Sequence, residues 1–390
     1  MKRLKKLLSL VLVLCLSSLL ISGCWDRREL EERTSVVAMA IDLADGREGL
    51  QPLIKLSVQI PIPIKITASG GGGGQGGKSA VKVMSSTGYS LADAMRNLQQ
   101  RLNQELFYGH TRVVAISEKM AKQGLEDVLD SIRRSPQMRR LLWILITPDQ
   151  AVDLLETDPK LEQIPIVYVM DLIENGAKAG TVPDISLGKW FIDRSSSGIE
   201  GTANFVVTDK KEVKWHGLAL FQQDKMVGTL DEKDAWVLMQ IRDGAIGGEI
   251  SIPCPEKQNL ESGTRKYITA HPKKVHTKST VEPWGGSFRM SVQVLLELDL
   301  IESMCHLDYR EKETIQKIEK AFSAELNRRA KKLVDKCIHT YGVDVFGMGN
   351  KVRAKYIERF DPANWNKDFT HMSIDVVYQV EIRRVGMKTT

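Results

Sequence analysis

The chain has 390 residues, 42% of them hydrophobic and 27% charged, which is the composition of an ordinary globular protein. Four of the 55 Lys and Arg residues lie within the first six positions, and without them 51 basic residues face 49 acidic ones. A net charge near +2 gives no electrostatic case for binding nucleic acid. The length predicts two or three domains.

The N-terminus has the pattern of a secretory signal. An apolar run at residues 7–21 follows the basic positions, and it is shorter than the roughly 20 residues of a membrane-spanning helix. The next motif resembles a bacterial lipobox, in which the cysteine thiol receives a diacylglyceryl group: Ile21, Ser22, Gly23 and Cys24. We predict a signal peptide over residues 1–23 and lipid attachment at Cys24. An uncleaved membrane anchor or a plain signal is the alternative.

The region at residues 24–210 alternates predicted strands with predicted helices. Strands are predicted at 36–43, 53–66, 80–85, 111–117 and 141–147. Because of its prolines, the second strand is expected either to lie at a sheet edge or to end near Ile60. Helices are predicted at 91–109, 125–132 and 149–155, whereas residues 159–209 show weak periodicity. This alternation favours an α/β region, and a division into two subdomains stays open.

The region at residues 211–390 is predicted to be an α+β domain. A hairpin is expected across Gln223 and Asp224, and strict alternation of apolar residues predicts strands at 288–300 and 372–382. An apolar stripe at helical spacing predicts a long helix at 308–340 between these two strands. A long helix beside antiparallel strands is typical of an α+β domain with the helix on one face of the sheet.

A glycine tract, SGGGGGQGGKS at residues 69–79, contains the phosphate-loop pattern G-x-x-x-x-G-K-[ST]. A functional phosphate loop follows a buried strand and leads into a helix, whose N-terminal N–H groups hold the phosphate. Here a proline-containing segment precedes the tract, and a strand-like segment follows it. We therefore predict a flexible connector between two strands and no bound nucleotide.

Other chemistry-bearing residues do not form a recognised catalytic or metal-binding pattern. Cys305 with His306, and Cys337 with His339, lack the spacing of a metal site, and no Gly-x-Ser-x-Gly motif occurs. His110 is interpreted as a capped, partly buried histidine, with a functional role as the alternative. We predict no catalytic residues, no metal and no cofactor.

Two further features leave alternatives open. Cys254, Cys305 and Cys337 are odd in number and widely spaced, so free buried thiols are favoured over one disulfide pair. The arginine pairs at 133–134 and 139–140 form a basic cluster. A solvated face is favoured for this cluster, with contact to anionic headgroups or to a partner loop as the alternative.

Four segments in the same order resemble one family, the C subunits of spore germinant receptors (the Ger(x)C lipoproteins). They are GCWDRREL at 23–30, the stretch at 108–139, GLALFQQDKMVGTLDEKDA at 217–235, and GVDVFGMGNKVRAKY at 342–356 with the region of Trp365. The resemblance covers essentially the whole chain. It implies a fold of about three successive mixed α/β units, each a β-sheet with flanking helices. The C-terminal unit has long antiparallel strands and one long helix.

The resemblance also implies a role. Such proteins are anchored by lipid to the outer face of the spore inner membrane of a Gram-positive spore-former. They act with two integral-membrane partners, the A and B subunits, in a complex that triggers germination in response to nutrients. Only Cys24 carries over as a functional residue. The alternatives are a lipid-anchored solute-binding protein with a ligand pocket between domains, and, less favoured, an envelope hydrolase.

Overall fold

The computed structural model describes residues 3–4, 6–7, 33–44, 53–62, 80–209, 211–255 and 266–386. The predicted lipobox with Cys24 and the glycine tract at 69–79 lie outside the described residues.

The described residues form fourteen strands. In chain order they are β1 (Arg33–Ser35), β2 (Ala38–Leu43), β3 (Ile54–Pro61), β4 (Val81–Gly88), β5 (Glu105–Phe107), β6 (Val113–Ser117), β7 (Trp143–Thr147), β8 (Thr202–Thr208), β9 (Val213–Gln222), β10 (Lys225–Leu230), β11 (Ile250–Pro253), β12 (Tyr267–Trp284), β13 (Ser287–Ser303) and β14 (Ser373–Val385).

Ten α-helices accompany these strands from Leu91 onward. They are α1 (Leu91–Gln99), α2 (Glu118–Gln123), α3 (Glu126–Arg134), α4 (Ala151–Glu156), α5 (Pro165–Lys178), α6 (Leu187–Ser195), α7 (Glu232–Arg242), α8 (Lys312–Asp335), α9 (Met348–Lys355) and α10 (Trp365–Phe369). A π-helical segment, Lys336–Tyr341, continues α8. Within the described part of the chain, the helices are all too short or too polar to cross a bilayer.

The strands form three sheets. β1 and β5 make a small parallel pair, and the largest sheet has the order β10-β9-β8-β7-β6-β2-β3-β4. The third sheet has the order β11-β12-β13-β14. With helices packed against these sheets, the predicted mixed α/β fold is confirmed. The eight-stranded sheet continues across residue 210, since β9 and β10 pair beside β8. The division of the chain at residue 210 into two domains stays a prediction.

The centre of the eight-stranded sheet is parallel and buried on both faces. β6 and β7 pair in parallel, and every residue of both strands is buried. Their continuous apolar sequences, VVAIS and WILIT, are typical of strands covered on both sides. Towards the other end, β3 and β4 pair antiparallel, and the N–H of Ile62 donates to the carbonyl of Ala80. The glycine tract therefore connects two neighbouring strands, as predicted.

The C-terminal sheet packs against α8. The alternating apolar residues predicted for β13 are all buried: Phe288, Met290, Val292, Val294, Leu296, Leu298 and Leu300. α8 contributes Ile318, Phe322 and Leu326 to the same core. β12 and β13 are antiparallel, but β14 pairs in parallel with β13, so the sheet is mixed. The reason is that the intervening helix returns the chain to the same end of the sheet.

α8 also covers the open edge of β14. The backbone N–H groups of Tyr378, Val380 and Ile382 point away from β13 and donate to three side chains of the helix. The acceptors are one helical turn apart: Asn327, Ser323 and Glu319. An edge strand with paired N–H groups is a poor template for another chain, so this cover protects the sheet from edge-to-edge association.

Several local predictions were wrong. The helix predicted at 91–109 ends at Gln99, because Glu105–Phe107 pairs with β1 as a strand. For β3 the second of the two predicted alternatives is confirmed, because the strand is interior and ends at Pro61, next to the predicted end near Ile60. Residues 159–209 contain α5 and α6, whose apolar spacing the sequence interpretation overlooked.

The favoured interpretation of the cysteines as three free thiols was also wrong for two of them. Cys254 and Cys305 form a disulfide with Cα atoms 6.0 Å apart. The bond joins the end of β11 to the segment after β13. Sequence spacing could not reveal this pair, because the two residues are 51 positions apart and only the sheet register brings them together. Cys337 is a free, buried thiol, as the apolar stripe of the helix predicts.

Candidate functional site

The residues that the sequence analysis singled out do not converge on one site. His110 is exposed rather than partly buried; its ring lies 3.3 Å from Ser35 Oγ and contacts Phe107 edge-on. Burial raises the pKa of the Cys337 thiol well above its ordinary value, so this thiol is unreactive. No cluster of three or more possible metal ligands occurs among the residues that the structure describes.

A buried carboxylate instead organises the junction between the two halves of the chain. Asp344 is fully buried in the loop between α8 and α9. Its carboxylate accepts hydrogen bonds from the backbone N–H groups of Phe346 (3.1 Å), Met348 (3.1 Å) and Gly349 (2.7 Å). The indole N–H of Trp365 donates a fourth, at 3.0 Å. Burial raises the pKa of Asp344 to about 6, and these hydrogen bonds oppose that rise. At neutral pH the carboxylate is therefore mostly ionised and fully engaged.

Two glycines allow the loop around Asp344 to turn tightly. Gly342 ends the π-helical segment with φ of +64°, and Gly347 precedes α9 with φ of +73°. Side chains other than glycine rarely adopt this left-handed region. The sequence GVDVFGMGN thus held a signal for this site, since glycines flank an aspartate at positions that require a positive φ.

The segment at residues 196–201 docks against this loop. The N–H of Glu200 donates to the carbonyl of Asp344 (2.8 Å), and the N–H of Asn350 donates to the carbonyl of Gly198 (3.1 Å). Ser196 Oγ donates to Asn350 Oδ1 at 2.7 Å. A Cβ atom on Gly198 would lie 2.4 Å from the Asn350 nitrogen, so glycine is required for this close approach. The two segments are therefore joined by a close, hydrogen-bonded contact.

Glu200 extends the junction to a third segment. Its carboxylate accepts from the N–H of Gln223 (2.8 Å) and from the side-chain amide of Asn366. Burial raises the pKa of Glu200, partly offset by these hydrogen bonds. The carboxylate therefore connects the segment after α6 with the β9–β10 hairpin and with α10. Sequence reasoning missed Glu200, because an isolated glutamate carries no local signal of such contacts.

A basic groove opens on the surface next to this junction. It has a volume of about 530 Å³ and is lined by Arg133, Arg140, Gly188, Phe191, Ile192, Ser195, Ser196 and Arg353. The predicted basic cluster divides here into two kinds of arginine. Arg133 and Arg134 both form ion pairs with Asp130 at 2.5 Å. Arg139 and Arg140 are exposed and have no acidic partner among the described residues.

Comparisons with known proteins agree with this fold. Residues 26–207 match the family described as "Spore germination protein N-terminal domain". Residues 216–386 match the family described as "Spore germination B3/ GerAC like, C-terminal". The two matches follow one another along most of the chain, and the chain belongs to this family of spore germination proteins. The predicted membership among the receptor C subunits is thereby confirmed.

Individual relatives extend the comparison. The chain is 26% identical to spore germination protein YndF of Bacillus subtilis (strain 168), over 97% of this chain and 96% of the relative. Spore germination protein KC of the same strain is 25% identical, with the same coverage of both chains. Spore germination protein GerQC of Bacillus cereus is 22% identical over 80% of this chain and 85% of the relative.

The crystal structure of the GerBC protein resembles this structure. The TM-score is 0.57 at 17% sequence identity, over 92% of this chain and 100% of that chain. This likeness shows that the two chains share a fold.

Proposed function

We propose that this spore germination protein is a non-enzymatic, lipid-anchored subunit of a germinant receptor, needed for nutrient-triggered germination. The observation that carries the proposal is the order of features along the chain. A motif that resembles a lipobox and ends at Cys24 directly precedes two successive matches to spore germination families, at 26–207 and 216–386. The buried carboxylate of Asp344 and the partly buried carboxylate of Glu200 join backbone segments, which supports a structural role for these halves.

The anchor has a simple energetic basis. Each buried methylene contributes roughly 0.8 kcal/mol, and a single acyl chain binds a membrane only reversibly. A diacylglyceryl group on Cys24 supplies two chains, which suffices for stable retention. We propose that the anchor holds the chain at the outer face of the spore inner membrane, beside two integral-membrane partners, the A and B subunits. The protein then acts by scaffolding these partners or by coupling them allosterically.

The alternative, direct capture of a small ligand between the domains, has less support. The cleft at the junction, next to Glu200 and Trp365, has a volume of about 230 Å³. Ligand pockets commonly measure roughly 300–1,000 Å³. A larger hollow of about 790 Å³ lies elsewhere, at the end of β13 near Tyr309 and Gly386. Calorimetry with amino acids and sugars tests the alternative, and saturable micromolar binding would favour it over scaffolding.

The proposed function is tested in spores by replacing single cysteines of the N-terminal segment. Cys24→Ala removes the thiol that forms the thioether, so we expect the chain to leave the membrane fraction and nutrient germination to fall. Cys15→Ala changes a cysteine within the apolar run and is the matched control, with no expected effect. Unchanged germination in the Cys24→Ala strain, with related receptor genes removed, would contradict the proposal.

A further inference from the structure

The floor of the basic groove is an exposed face of α6. Gly188, Phe191, Ile192 and Ser195 recur at the spacing of one helical face and line the groove together. The opposite face packs into the core through Leu187 and Trp190. Ile192 is 67% exposed. The floor therefore offers apolar surface that the described residues do not cover.

The walls of the groove are basic and come from three separate parts of the chain. Arg133 belongs to α3, Arg140 to the turn before β7, and Arg353 to α9. The Arg133 guanidinium lies 5.2 Å from the centre of the Phe191 ring and pairs with Asp130. Arg140 and Arg353 form no ion pair with any described residue. Two guanidinium groups that have no acidic partner among the described residues thus flank an exposed aliphatic side chain.

The turn that carries Arg140 is held against the start of α6. The N–H of Gly188 donates to the Arg140 carbonyl at 2.8 Å. A Cβ atom at position 188 would lie 3.2 Å from that oxygen, so the glycine permits the close approach. Leu141, the next residue, is 76% exposed. A second exposed aliphatic side chain therefore follows Arg140 directly in the chain, although it is not among the residues that line the groove.

The arginines and the exposed aliphatic side chains together indicate which class of ligand the groove binds. A guanidinium fork binds phosphate oxygens with two parallel hydrogen bonds, and arginine is favoured for phosphate recognition. Exposed aliphatic side chains next to basic ones are typical of surfaces that lie at the boundary between lipid headgroups and acyl chains. An acidic protein segment would satisfy the arginines, but it gives no reason for Ile192 and Leu141 to be exposed.

The entry point of the chain is compatible with contact to a membrane. The nine residues from Cys24 to Glu32 can span at most about 30 Å when extended. They lead into β1, which pairs with β5. Directly after β5, the N–H of Tyr108 donates to the side chain of Gln137 at 3.0 Å, two residues before Arg139. The proposed tether therefore enters the fold at a sheet that is hydrogen-bonded to the segment bearing the arginines.

We infer that the groove binds the phosphate headgroup of anionic phospholipids, with Arg140 and Arg353 on the phosphate and Ile192 and Leu141 towards the acyl region. The contact orients the protein on the membrane surface. This inference rests on the proposed function, because the lipid anchor brings the groove to the membrane. The binding of the headgroup itself depends only on the residues of the groove.

The test follows the environment of residue 192 on vesicles. The full chain, after processing in a bacterial envelope, carries Ile192→Cys labelled with the fluorophore NBD. Cys254 and Cys305 are paired and Cys337 is buried, so the label can react only at position 192 and at any Cys24 that carries no lipid. The chain with the native Ile192 shows how much label Cys24 takes up. A label at Val377→Cys, on the exposed side of β14, is the matched control. Vesicles contain phosphatidylcholine alone, or phosphatidylcholine with 30% phosphatidylglycerol.

We expect the label at position 192 to shift to shorter wavelength, and to be quenched by brominated lipid, only on vesicles with phosphatidylglycerol. Replacing Arg140 and Arg353 by alanine is expected to lower the equilibrium constant for contact between the groove and the anionic vesicle surface by about 30-fold. Each basic residue near such a surface contributes roughly a factor of five to this constant. Replacing Lys273 and Lys278, which are exposed on β12, removes the same charge elsewhere and leaves the shift intact.

The outcomes separate the groove from the anchor. The same samples are also tested for flotation, that is, for whether the protein floats together with the vesicles. If the protein floats with both kinds of vesicle but the label at position 192 does not shift, the proposal that the groove binds phospholipid is overturned and the proposed anchor stands. Flotation only with phosphatidylglycerol, together with the shift, supports the groove and contradicts the anchor. Failure to float with either kind overturns both. A shift that requires an added membrane-protein partner instead assigns the groove to protein contact and overturns the lipid assignment.

Discussion

Replacing Asp344 by asparagine is expected to weaken the junction between the two halves strongly. One carboxylate oxygen accepts from Phe346 and Met348, and the other accepts from Gly349 and the Trp365 indole. Asparagine has almost the same volume but only one acceptor oxygen. Two buried N–H donors then face an NH₂ group, whichever way the amide is turned.

The magnitude follows from the number of donors that lose their acceptor. A buried donor without a partner costs about 1–3 kcal/mol, so two of them cost about 2–6 kcal/mol. For a unit of roughly 150–250 residues, each kcal/mol lowers the melting temperature by about 2–4 °C. We therefore expect Asp344→Asn to melt about 4–24 °C below the unchanged protein at pH 7.

The assay combines thermal melting with hydrogen exchange at the junction. Exchange is expected to accelerate at the amides of Gly349 and Asn350, and also at Glu200, whose N–H donates to the Asp344 carbonyl. Asp361→Asn is the matched control, because Asp361 lies in an exposed turn and accepts from the N–H of Ala363. A melting temperature for Asp344→Asn within 2 °C of the control variant would refute the reasoning.

Three further predictions concern other parts of the fold. The Arg328 guanidinium, with a second arginine, lowers the pKa of Glu325 from 4.5 to about 2, so its stabilisation is complete above pH 4.5 and is lost as the pH falls through 2. Glu325→Gln should cost about 1 kcal/mol at pH 7 after solvent screening and much less at pH 2, whereas a constant difference across this range contradicts the ion pair. Removing the disulfide with Cys254→Ser and Cys305→Ser should cost about 4 kcal/mol, because the bond closes a loop of 51 positions; insensitivity of melting to reductant would argue otherwise. Shortening residues 70–77 to three or four residues should change loop closure by only about 0.3 kcal/mol, and loss of receptor assembly would instead identify the tract as a contact.

Sequence patterns predicted the elements whose environment is simple. The alternation in β13, the apolar run of β7 and the Ser90 cap of α1 each reflect one local rule, and the structure confirms all three. The hairpin across Gln223 is also confirmed, with that residue at a positive φ of 58°. In these places local propensity and tertiary burial favour the same conformation.

Features that depend on distant residues could not be predicted in this way. The strand at Glu105–Phe107 exists because β1 pairs with it, whereas the helical spacing of apolar residues from Leu91 to Leu106 predicted a helix there. The junction around Asp344 requires Gly198 and Trp365 to meet it from distant positions. The parallel pairing of β14 likewise follows from the path of α8, which the apolar pattern of the strand does not encode.

The central claim, that this chain is a lipid-anchored subunit of a receptor in the spore membrane, is tested most directly by cross-linking the intact complex in isolated spore inner membranes. Mass spectrometry of the cross-linked material reads out both parts of the claim. We predict cross-links from this chain to two integral-membrane proteins and a mature N-terminal peptide that begins at diacylated Cys24. An unmodified N-terminus, together with cross-links to no integral-membrane protein, would contradict the account.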